Sequence, residues 1–113
     1  MMDSNEKCLA ITDADFPRSA AAYAWVDACG ELVVEYRKEN EHSGHEETVR
    51  RAVVDAEEIV KMVAYYQVTI SELPALLDEE CGVGYATTLS DVERAFGDAL
   101  EVILESGAKY NFK

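Results

Sequence analysis

The chain has 113 residues, 49% of them hydrophobic, with 23 acids against 10 bases and a formal net charge of −13. That length and apolar content fit one globular domain over residues 1–113 and are too rich for a disordered chain. The charge excludes ordinary nucleic-acid binding, which needs cations to displace counterions from phosphates, and it disfavours anionic membrane surfaces.

No stretch approaches the roughly 18–20 apolar residues that span a bilayer. The acidic start "MMDSNEKCLAITDADF" lacks the apolar core of a signal peptide, so a cytoplasmic protein is expected. Cys8, Cys29 and Cys81 are dispersed, odd in number and without a C-x-x-C pair. They read as reduced thiols of a core rather than as a zinc or redox motif.

In chain order, "CLAIT" at 8–12 is a short apolar run that predicts a strand, and Pro17 breaks the chain after it. Residues 20–39, "AAAYAWVDACGELVVEYRKE", admit two readings. As a helix, Ala22, Trp25, Val26 and Cys29 share one side and Gly30 caps it. As a hairpin, "AYAWV" and "ELVVEYR" are strands joined by Asp27-Ala28-Cys29-Gly30. Asp at the first turn position and Gly at the fourth favour the hairpin, and the second run alternates as a strand does.

"KENEHSGHEE" follows as a loop with almost no apolar side chain. From residue 47 the run "TVRRAVVDAEEIVKMVAYYQV" predicts the clearest helix, with Val49, Val53, Ala56, Ile59, Val60 and Val63 at three- and four-residue steps. "ISELPALLDEECG" predicts a short helix over 71–80, with Ser71 as its cap and Gly82 as its end. "VGYATT" reads as a connector. "LSDVERAFGDALEVILESG" predicts a strong helix over 90–106, with Ser90 and Glu93 in capping-box spacing. The tail "AKYNFK" has no regular pattern.

The predicted fold is therefore α+β: an N-terminal antiparallel hairpin or small meander within residues 8–38, then three helices at 47–67, 71–80 and 90–106 packed on one face.

Four candidate chemistries come from these segments. His42 and His45, with Glu39, Glu41, Glu46 and Glu47 around them, are adequate metal donors. Ser43-Gly44 between them argues for a turn instead of the helical spacing of a zincin, so no metal or other cofactor is expected. Cys81 before Gly82 is the best-placed nucleophile, yet no neighbouring base activates it. "CGVGY" lacks the length and the Lys of a phosphate-binding loop. The last two helices have helix-turn-helix order, but the second presents Asp91, Glu93, Asp98, Glu101 and Glu105 with only Arg94, and phosphates would repel it.

The acids themselves form the strongest pattern. Between Met62 and Ala108 there are nine acids and one base. Asp98, Glu101 and Glu105 recur at steps of three and four, so neighbours lie roughly 5–6 Å apart on one helix face. Asp78, Glu79 and Glu80 cluster at a helix C-terminus, where carboxylates oppose the dipole. With Asp91, these residues are the candidate partner-binding set. They predict a non-enzymatic protein that occupies a basic surface, most naturally on a nucleic-acid-handling protein, with carboxylates standing in for phosphates. Two alternatives stand beside it: a homodimeric subunit joined through Tyr65 or Tyr66, and an enzyme using Cys81 or the His42/His45 region.

Overall fold

The structure, a computed structural model, describes residues 6–12, 19–39, 46–86 and 89–113. Its first strands are β1 (Lys7–Thr12), β2 (Ala20–Val26) and β3 (Leu32–Glu39). β2 and β3 form an antiparallel hairpin running from Ala20↔Lys38 to Val26↔Leu32. The turn is held by one side chain. Asp27 Oδ1 accepts the N–H groups of Cys29 and Glu31, each at 3.0 Å, and the Asp27 carbonyl accepts the Gly30 N–H at 3.1 Å. Gly30 has φ +79°, a left-handed conformation that side chains disfavour. Asp27→Ala removes both side-chain bonds and should cost about 1 kcal/mol, lowering the melting temperature by about 4–8 °C in a thermal circular-dichroism scan.

The largest correction concerns residues 46–54. The helix expected from residue 47 begins only at Ala56, and the preceding residues form β4 (Glu46–Val54), antiparallel to β3. "TVRRAVV" satisfies a period of two as well as helical spacing. Pairing decides between them: Val53 lies opposite Val33 and Ala52 opposite Val34, and β-branched neighbours pack well across a ladder. Asp55 is extended (φ −62°, ψ 155°), and its carbonyl accepts the N–H groups of Glu58 and Ile59 at 2.9 Å, which starts α1 (Ala56–Tyr66).

A hairpin or small meander is therefore too small a description of the sheet. The meander β1–β4 is flanked by β5 (Gly84–Ala86) and β6 (Asn111–Phe112), giving six strands in the order β5-β1-β2-β3-β4-β6. β5 runs parallel to β1, and β6 antiparallel to β4. Three- and two-residue strands are too short to leave a periodic signal, so "VGYATT" and "AKYNFK" read as irregular.

A 3-10 turn at Ile70–Glu72 leads into α2 (Leu73–Cys81). Thr69, not Ser71, is the cap, and it caps the 3-10 turn in a capping box with Glu72: the Thr69 N–H and hydroxyl both donate to Glu72 Oε1, at 2.9 and 2.8 Å, while α2 itself starts from Glu72 without a side-chain cap bond. The helix ends as the Gly82 N–H donates to the Asp78 carbonyl at 2.8 Å. A Cβ on Gly82 would lie 2.3 Å from that oxygen, so only glycine permits the approach. α3 (Leu89–Glu105) begins one residue early, which places Ser90 inside its first turn.

All three helices contribute to one core. Ile59 and Met62 of α1, Leu73 and Leu77 of α2, and Val92, Phe96, Ala99 and Ile103 of α3 join Leu9, Ala22, Ala24, Leu32, Val34, Ala52 and Val54 of the sheet. Alternation along the strands sends these residues to one side. The small side chains of β2 (Ala20, Ala22, Ala24) let α2 and α3 lie close against the middle of the sheet. Cys81 is buried as a core thiol, whereas Cys8 and Cys29 are exposed, which corrects the expectation for those two. No helix among the described residues is long and apolar enough to cross a membrane.

Candidate functional site

α3 buries Val92, Phe96, Ala99 and Ile103 and so must turn Asp98, Glu101 and Glu105 to solvent, because the helical repeat separates the two faces. α2 packs alongside, and its last turn brings Glu80 to the same place. Glu80, Asp98, Glu101 and Glu105 surround a cleft of about 450 Å³ whose remaining walls are Cys81, Val102 and Leu104. Leu104 is 51% exposed in the midst of these carboxylates.

Two groups, buried Cys81 and half-buried Tyr66, register the field there. Burial, followed by the charges of Asp98, Glu80 and Glu101, pushes the Cys81 thiol up to about 11. Burial, followed by Glu105 among its neighbours, pushes the Tyr66 hydroxyl up to about 12. Tyr66 donates to the Val102 carbonyl at 2.6 Å and packs edge-on against Tyr65, tying α1 to α3 beside the cleft. The Cys81 shift is opposite to the one a nucleophilic thiol needs. At neutral pH this thiol stays protonated.

Four of the seven predicted acids thus converge. Asp78 and Glu79 are exposed on α2 outside the cleft walls. Asp91 sits in the first turn of α3, seven residues and therefore roughly 10 Å along the axis from Asp98. The sequence reading missed Leu104 and Val102, and it took Tyr66 as a dimer anchor instead of a neighbour of this cleft. Leu104 could have been found as an apolar residue on the polar side of an otherwise amphipathic helix. The stretch "ENEHSGHEE" lies mostly outside the described residues, as do His42 and His45. Among the described residues, no group of three or more His, Cys, Asp or Glu could hold a metal ion.

A second charged cluster was also unforeseen. On the sheet face away from the helices, Glu35 is only 1% exposed. It pairs with Arg37, and with Arg51 at 2.5 Å. Burial alone would raise its carboxyl; the hydrogen bonds and charges of the two arginines outweigh burial and hold it below the ordinary carboxylate value. Arg37 also lies over the rings of Tyr23 (4.4 Å) and Trp25 (5.6 Å). Five of the ten bases, Lys7, Arg37, Lys38, Arg50 and Arg51, lie in β1, β3 and β4. Acids dominate α2 and α3, whereas the strands hold bases and acids in near balance, with Glu35, Glu39, Glu46 and Glu47 beside those five bases.

Comparison with protein-family models, curated proteins and solved structures gives no match.

Proposed function

We propose that this is a small acidic binding protein of the cytoplasm that occupies a basic surface of a partner without catalysing a reaction. The partner class is a nucleic-acid-handling protein, such as a nuclease or a defence effector, which the chain would inhibit by presenting carboxylates in place of phosphates. The observation that carries this reading is the convergence of Glu80, Asp98, Glu101 and Glu105 around exposed Leu104. A face serving only solubility is better made of mixed signs, since like charges at these steps cost a few tenths of a kcal/mol per pair. An exposed leucine among them adds an apolar anchor of the kind found at interface centres.

The test is capture of basic host proteins on the immobilised chain. Raising the salt from about 50 to about 200 mM should weaken such a complex and slow its association, because screening shortens the reach of these charges. Duplex DNA should displace the chain from its partner. The triple variant Asp98→Asn, Glu101→Gln, Glu105→Gln should lose the partner while keeping its fold. A complex indifferent to ionic strength, or to the triple substitution, would sink the proposal.

A further inference from the structure

α3 lies mainly over β1, β2 and β3, and between it and β4 a cavity of about 390 Å³ opens. That is the small end of the roughly 300–1,000 Å³ typical of ligand sites. From α3 come Glu93, Phe96, Gly97 and Leu100, a stripe at steps of three and four that shares no residue with the acidic cleft. From the sheet come Tyr36 and Arg50, directly opposite each other on β3 and β4. Val49 also lines the cavity; it is the extra residue where the β3–β4 register shifts. Irregularities of this kind re-aim a side chain and are common beside binding sites.

Two opposite charges border this space. Tyr36 donates to Glu93 Oε1 at 3.5 Å, well beyond the roughly 2.5–3.0 Å of a close O–H···O bond, so the carboxylate keeps room for a second donor. Arg37 and Arg51 are committed to Glu35, whereas the Arg50 guanidinium lies over the Phe112 ring, 5.2 Å from its centroid. A guanidinium stacked in this way keeps its N–H edge for a planar carboxylate. Arg50 springs from the strand beside the Tyr36 backbone and Glu93 meets the Tyr36 hydroxyl, so the charges stand at opposite ends of that side chain.

Gly97 is a separate sign. Glycine inside a helix is destabilising relative to alanine, yet a Cβ built on Gly97 would meet nothing within 4 Å. Packing does not require a glycine there. What its missing side chain leaves is an open wall of the cavity.

We propose that this cavity binds a free α-amino acid with an apolar side chain. Its carboxylate sits on Arg50, its ammonium on Glu93, and its side chain against Phe96, Leu100 and Val49. A simple anion would meet the like charge of Glu93, and a simple cation that of Arg50; a zwitterion satisfies both. The cavity and the acidic cleft are lined by different residues, so either can be filled without the other.

The probe is L-phenylalanine, titrated to about 10 mM into the full isotope-labelled chain and followed through backbone amide shifts. Saturable shifts should appear at Tyr36, Arg50, Glu93 and Gly97. Hydrocinnamate, which lacks the ammonium, and phenethylamine, which lacks the carboxylate, should each bind about tenfold or more weakly. Glu93→Gln should weaken L-phenylalanine about tenfold and leave hydrocinnamate no weaker. Arg50→Gln should weaken L-phenylalanine similarly and leave phenethylamine no weaker. A variant that merely disturbs the fold would weaken all three probes. Gly97→Leu, which fills the cavity, should abolish binding while far-UV circular dichroism shows the helices intact; Gly97→Ala should keep the fold and weaken binding. Shifts that do not saturate, or that fall on other residues, overturn the inference. So does an analogue lacking either charge that binds as tightly as L-phenylalanine, or a Gly97→Leu chain that still binds it.

Discussion

Replacing Arg37 and Arg51 together by methionine should destabilise the fold by about 3–5 kcal/mol, because it leaves the Glu35 carboxylate buried without a counter-charge. The cost does not come from the attraction of the arginines as such: their side chains are 28% and 45% exposed, and solvent screens them. It comes from Glu35, which has no route to water. The triple variant that also carries Glu35→Leu should return most of the loss, since an apolar group of similar size suits a site flanked by Val33 and Val53. Urea unfolding of the wild type and both variants measures this directly.

The same cluster fixes a sign for the pH dependence. In the wild type Glu35 is held below its unfolded value. Its contribution is thus complete above the unfolded value of about 4.3 and is lost as pH falls through the lower folded value. Without the two arginines, burial alone acts and raises the carboxyl. The double variant should then be weakest at neutral pH and recover relative to wild type as pH falls and Glu35 takes up a proton. Unfolding midpoints at pH 7 and pH 5 would show the gap narrowing; a gap that widens would contradict the account.

Leu77→Ala should cost about 2–5 kcal/mol, the range for truncating a fully buried leucine. Leu77 stands one turn before Cys81 and shares the core with Phe96 and Ile103 of α3. Its side chain helps to set the distance between the helices that supply Glu80 on one side and Asp98, Glu101 and Glu105 on the other. Partner affinity should therefore fall at a temperature where the variant is still folded. Leu73→Ala, at the far end of α2, should cost comparable stability and leave affinity nearly unchanged. Equal losses of affinity in both variants would mean that stability, not cleft geometry, is being read.

Much of this was legible in the sequence, and what was not has identifiable causes. Asp27 and Gly30 announced the turn because each does something few other residues do: one accepts two backbone bonds, the other adopts positive φ. The spacing of Val92, Phe96, Ala99 and Ile103 announced α3. "TVRRAVV" misled because Val49 and Val53, four residues apart, satisfy a helical step and a period of two at once, and only the facing residues of β3 break the tie. Those contacts are remote in the chain and invisible to local pattern. The acidic cleft was half visible: helical spacing placed Asp98, Glu101 and Glu105 on one face, whereas Glu80 joined them only through the packing of α2 on α3. Glu35 carried no signal, since a carboxylate within "LVVEYR" looks like the polar side of an alternating strand until two arginines are found around it.

The strand order has a consequence for how the molecule assembles. β1 to β4 are joined by successive neighbours in the chain, so their ladders close over short loops and can form early. β6 must instead find Ala52 and Val53 from Asn111 and Phe112, across just over half the chain, and β5 must find β1 after α2 has been laid down. During synthesis the meander therefore exists for a time with both its borders bare. The valine-rich second half of β4 is then open, and the two terminal strands act as late seals. The vulnerable moment for this protein is its own translation, when an unsealed sheet can pair with whatever strand is nearest.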